Sequence, residues 1–111
     1  MTRTRNLVFV LCIALSLGLV LVVSSYSSAD GKSGDTLFKQ HCASCHPNGG
    51  NIINPKKTLS KKDREANGIK SKDDIVKYMR KPGPGMTSFD DKAISDKAAQ
   101  ELAEYIHKTF K

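Results

Sequence analysis

The chain has 111 residues, a formal charge of +7, three cysteines, seven aromatic residues and no tryptophan. That length holds one domain at most. The basic excess is mild and scattered, with none of the concentrated stripe that nucleic-acid binding needs, so no nucleic-acid partner is expected.

Arg3 and Arg5 precede an apolar run from Leu7 to Val23, and small polar residues ending in Ser27-Ser-Ala29 follow it. A basic lead, an apolar stretch and a small-x-small site predict a signal peptide over residues 1–29, cleaved after Ala29. The run is almost long enough to span a bilayer, so a retained N-terminal anchor is the alternative. A membrane is expected as a partner only in that case. Cys12, in mid-run, reads as a small apolar filler. Residues 30–111 then form the mature domain, with 16 basic and 11 acidic residues and a formal charge of +5. Eighty-two residues with few aromatics struggle to assemble a core unaided. A large flat apolar cofactor would fill that gap.

Residues 34–42 predict a helix, with Leu37, Phe38, His41 and Cys42 on one face. Gly34 is a poor helix former, and its place one turn before Phe38 hints at a close approach by another backbone. The helix runs into Cys42-Ala-Ser-Cys45-His46. Two cysteines three apart with histidine directly after them are what covalent haem attachment needs: each thiol adds to one vinyl group, and the imidazole sits under the ring. Zinc is a poor rival because no second Cys-x-x-Cys completes a tetrahedron. A redox dithiol is another, but no βαβ pattern surrounds the motif and His46 would be surplus.

Pro47 to Pro55 is a loop rich in breakers, in which Ile52 and Ile53 need an apolar surface to cover. Residues 60–67 predict a short helix, with Ser60 as cap, Asp63 at the capping-box position and Gly68 as stop. Residues 71–80 repeat the scheme with Ser71 and Asp74, and carry Ile75, Val76 and Met79 on the apolar side. Pro82-Gly-Pro-Gly-Met86 interrupts regular structure. Residues 95–110 give the strongest helix, capped by Ser95, with Ala98, Leu102, Tyr105, Ile106 and Thr109 in one stripe. There is no strand of useful length. The whole reads as all-α: about four short helices, with loops wrapped round one covalently bound haem.

The haem iron needs a ligand opposite His46, and Met79, Met86, His41 and His107 are the candidates. The stiff, turn-rich segment before Met86 suits an end-on approach to the haem face. Met79 lies in a helix, where methionine usually packs. His41 is tethered beside Cys42, and His107 sits in the last turns of the final helix. A thioether is a weak, neutral, soft ligand that favours the ferrous state and fills the sixth position. That arrangement suits outer-sphere electron transfer.

On these residues the sequence resembles the class I cytochromes c, and most the small cytochrome c-six type. The likeness runs from Gly34 to Ile106. It rests on Gly34 and Phe38, Cys42-x-x-Cys45-His46, Asn51-Ile-Ile-Asn-Pro55-Lys-Lys-Thr-Leu59, Gly85-Met86-x-x-Phe89, Leu102 and Tyr105. The resemblance implies a class I cytochrome c fold, with haem c held by Cys42 and Cys45 and iron bound by His46 and Met86. It implies that the Pro55 carbonyl accepts the other ring proton of His46 and that Lys57 lies near a haem propionate. It also implies that Gly34 and Phe38 cross Leu102 and Tyr105. Two positions depart from the pattern. Thr87 stands where relatives usually carry proline, and Met79 where photosynthetic members usually carry glutamine, so a lower potential than theirs is expected. The Pro-Gly-Pro-Gly-Met segment looks closer to small monohaem cytochromes of metal-reducing bacteria.

The expected function is a periplasmic single-electron carrier rather than an enzyme. Lys56, Lys57, Lys61 and Lys62 would steer transient electrostatic docking onto acidic redox proteins. The alternatives are a tethered subunit of a respiratory complex, and a haem protein whose sixth site opens to a gas or peroxide.

Overall fold

The computed structural model describes residues 33–111. The expected signal segment, residues 1–29, lies outside the described residues. Among those described there are four α-helices and no strand: α1 (Gly34–His41), α2 (Lys61–Ala66), α3 (Lys72–Arg80) and α4 (Asp96–Thr109), with a 3₁₀ turn at Pro47–Gly49. No described helix is long and apolar enough to cross a membrane. The all-α reading of the sequence, with about four short helices, holds among the described residues.

Each α-helix starts on a serine whose hydroxyl accepts a backbone N–H of the first turn: Ser33, Ser60, Ser71 and Ser95. Only Ser71 completes a reciprocal capping box, with Asp74 accepting from the Ser71 N–H at 2.9 Å. At α2 the acid takes another partner. Asp63 turns away from the cap and accepts from Thr58 Oγ1 at 2.5 Å and Thr58 N at 3.3 Å. Its carboxylate therefore stitches α2 to the preceding loop.

The core forms where α1 and α3 pack on α4. It comprises Leu37, Phe38, Cys42, Ile75, Met79, Ile94, Ala99, Leu102, Ala103 and Ile106. Leu102 is fully buried, and Ala99 and Ala103 lie on the same face of α4. The buried stripe is thus rotated from the expected one: Thr109 is exposed, and the small alanines face inward. The reason is proximity, since small residues let two helices approach.

Gly34 is the other half of that contact. A Cβ placed on it would lie 2.5 Å from Tyr105 Cβ and 2.6 Å from the Glu101 carbonyl oxygen. No side chain fits there, so α1 and α4 cross nearly backbone to backbone. The Phe38 ring sits 5.5 Å from Tyr105 and 5.3 Å from Phe110, both tilted. The crossing brings the C-terminal end of α1, and so Cys42, to the edge of the core.

Candidate functional site

A cleft of about 250 Å³ opens on the side of the core away from the α1–α4 crossing. Four stretches line it: residues 41–46, residues 51–59, the α2–α3 region and residues 84–89. Leu59, Ile69, Ile75, Met79, Phe89 and Ile106 supply the apolar lining. The expected site residues Cys42, Cys45, His46, Lys57 and Met86 all face this one cleft. Pro55 is not among the lining residues and is exposed.

The Cys-x-x-Cys-His turn is built by backbone bonds. Cys45 N and His46 N both donate to the Cys42 carbonyl, at 3.1 and 2.8 Å, which curls the turn tightly after α1. The two sulfurs meet different surroundings: Cys42 is buried and Cys45 is exposed. Burial, reinforced by Cys45, pushes the Cys42 thiol up to about 11.

His46 is oriented by its Nδ1, 2.7 Å from the Gly50 carbonyl oxygen. In this structure the carbonyl beside that nitrogen is Gly50 rather than the expected Pro55. The physical reason is reach. The 3₁₀ turn at Pro47–Gly49 folds the chain back under the imidazole four residues on, whereas Pro55 sits farther out on an exposed loop. Nε2 is left as the nitrogen available to a metal. Lys57 is exposed at the rim, and its carbonyl accepts from Asn51 Nδ2 at 2.8 Å.

Of the rival axial candidates, Met79 and His41 also line the cleft, and His107 does not. Met79 is 4% exposed in the core, and its carbonyl accepts from Phe89 N. The His41 ring meets Phe89 edge-on at 6.0 Å. His107 Nδ1 lies 3.4 Å from Arg64 Nη1. Met86 is half-buried and follows Gly85, whose φ of +89° only glycine adopts without strain.

These residues fit a c-type haem. An apolar cleft has two thiols and a pre-oriented imidazole on one side, with a thioether elsewhere in its lining.

The comparisons with known proteins agree. Residues 29–106 match the family model described as cytochrome c oxidase, cbb3-type, subunit III. The chain is a class I cytochrome c. A cytochrome c6 of Rippkaea orientalis is 33% identical over 106 residues, covering 96% of this chain and 92% of the relative. The outer membrane cytochrome F of Geobacter sulfurreducens, OmcF, superposes with a TM-score of 0.70 at 46% identity, covering 71% of this chain and 100% of that one. A cytochrome c6C of Synechococcus superposes with a TM-score of 0.66 at 32% identity, covering 71% and 95%. The cytochrome thus has one covalently bound haem c and is similar to electron carriers of the cytochrome c6 kind.

Two residues of this cytochrome had no functional signal in the sequence. Arg64 is 4% exposed and faces the cleft. It donates from Nε to the Leu59 carbonyl at 2.8 Å and from Nη2 to the Phe110 carbonyl at 3.2 Å. Arg80 gathers the carbonyls of the Met86 loop. In sequence each is one more basic residue on a charged helix.

Proposed function

We propose that this cytochrome is a periplasmic single-electron carrier whose haem is held by Cys42 and Cys45 and whose iron is bound by His46 and Met86. When bound, the haem supplies a one-electron ferric/ferrous couple. His46 binds through Nε2, while the Gly50 carbonyl holds its other ring proton, fixing the ring and raising its basicity. Met86 would supply the second, thioether ligand, which would disfavour oxygen chemistry and raise the potential relative to two imidazoles. Met79 offers no hydrogen bond to the ring's surroundings, which places the potential below that of the photosynthetic relatives.

The observation that carries this reading is that His46, with one ring nitrogen free, and Met86 line the same apolar cleft as Cys42 and Cys45. A ferric spectrum tests it. The wild type should show the far-red band of an Fe–S(Met) bond, and Met86→Ala should lose it. A band that survives in Met86→Ala assigns the ligand elsewhere.

Lys56, Lys57, Lys61 and Lys62 are all exposed, and Lys57 stands at the cleft rim. We propose that they steer acidic redox proteins into a short-lived complex. The electron-transfer rate should then fall as ionic strength rises; a flat dependence removes the steering idea.

OmcF is by its name an outer-membrane protein, which supports export of this chain through residues 1–29. A second reading has its own support: the matching family model is described as an oxidase subunit, and residues 7–23 are apolar enough to serve as a tether. N-terminal sequencing of the purified protein separates the two. A chain beginning at Asp30 is a free carrier, and one retaining Met1 is tethered.

A further inference from the structure

The loop between α3 and α4 carries Met86 and has little to hold it from within. Met86 N reaches the Gly83 carbonyl at only 3.5 Å. Pro82 and Pro84 stiffen the approach to Met86 and Gly83 and Gly85 let it turn, but residues 81–93 contribute no fully buried side chain, only Met86 and Phe89 packing against the core's edge. What fixes this segment comes from the last turn of α3. Phe89 N donates to the Met79 carbonyl at 3.0 Å, and Ser88 Oγ donates to the Arg80 carbonyl at 2.7 Å. The Arg80 guanidinium then takes the far side. Nη1 sits among three carbonyl oxygens, Phe89 at 3.0 Å, Asp90 at 2.8 Å and Ile94 at 2.8 Å, sharing its two hydrogens between them. Nη2 donates to Asp96 Oδ1 at 2.8 Å.

We infer that Arg80 is a positioning residue for Met86: it closes the ligand loop on itself and holds the thioether against the iron. The chain leaves the Arg80 backbone, passes through Met86 and returns at Phe89 to the Arg80 side chain. Both flanks of the methionine are therefore tied to one residue. The side chain of Arg80 is 23% exposed and that of Asp96 is 89% exposed. The carbonyl cluster, rather than the ion pair, is the sheltered part of the staple. Three carbonyls converging on one point need a cationic donor; lysine keeps the charge but lacks the planar fork whose second nitrogen reaches Asp96, and glutamine offers only a neutral amide. A thioether is a weak ligand, so a small gain in loop freedom raises the fraction of molecules with Met86 detached.

The inference rests on Met86 as the axial ligand. Its test therefore measures the bond and the loop separately, on the holoprotein. In Arg80→Gln the far-red band should weaken while the haem stays attached, and the affinity of ferric protein for imidazole should rise by about tenfold or more, as the detached population rises. Arg80→Lys should fall between this variant and the wild type, and Asp96→Asn should shift least. Hydrogen exchange should quicken at residues 86–90 and stay unchanged in α1 and α4. In a Met86→Ala background, Arg80→Gln should add nothing to imidazole affinity, because no bond remains to loosen. The inference is overturned if Arg80→Gln and Arg80→Lys keep the wild-type band and affinity, or if the gain in affinity is equally large without Met86. If the wild type has no far-red band, the ligand assignment fails instead.

Discussion

The α1–α4 crossing and the loops around the cleft are held together by different forces. At the crossing, Ala99, Leu102 and Ala103 are 0% exposed, and Gly34 lets two backbones meet. Stability there comes from apolar area removed from water and from tight packing. Around the cleft, the contacts are polar. The Asn51 side chain donates to the Lys57 carbonyl and accepts from Ile53 N and Asn54 N, and Arg80 gathers three carbonyls. Ile52 and Ile53 are each 63% exposed on the same loop, and Ile53 faces the cleft. One region is a small hydrophobic core of its own. The other is a set of loops whose shape is set by hydrogen bonds and whose apolar partner is the haem.

That contrast can be broken from either side. The largest effect should follow loss of the anchors. Replacing Cys42 and Cys45 together by alanine should abolish covalent haem, read as loss of haem staining on a denaturing gel. The cleft loops should lose hydrogen-exchange protection more than α4 does. On the other side, Leu102→Ala removes a fully buried side chain and should cost about 2–5 kcal/mol in denaturant unfolding. Gly34→Ala should cost about 1–3 kcal/mol, because the new methyl must displace Tyr105 or the Glu101 carbonyl. Ser71→Ala removes the cap of α3 and should cost about 1 kcal/mol.

The smallest effect concerns the surface. Lys108 first, then Lys72, hold the Glu104 carboxyl down to about 2 from its ordinary 4.5. A depressed carboxylate contributes stability above its unfolded value and loses it as pH falls through the folded one. Glu104→Gln should therefore remove this small contribution at neutral pH and flatten the stability profile between pH 4.5 and about 2, so that variant and wild type converge in acid. High salt should mimic it, because the pair is solvent-exposed.

Much of this was legible before any coordinates. Serine caps, apolar periodicity and the Cys-x-x-Cys-His spacing are local features, and they placed the helix starts and the haem turn correctly. The misses share a cause. Asp63 stands at a capping-box position, yet Thr58 offered its carboxylate a closer donor. The resemblance implies the Pro55 carbonyl, whereas the turn at Pro47–Gly49 sets the Gly50 carbonyl beside His46. Arg64 and Arg80 have no local pattern that marks them, and their carbonyl partners lie up to 46 residues away.

What the sequence determined by itself was the chemistry: two thiols and an imidazole within five residues, a methionine after a Pro-Gly segment, and a helix-only pattern of turns and caps. Those depend on neighbours along the chain. Only the tertiary structure decided which carbonyl at the chain's end holds Arg64, which face of α4 is buried and what steadies the methionine loop. Each of these is a competition between donors and acceptors, or between side-chain volumes, that meet only once distant segments have packed.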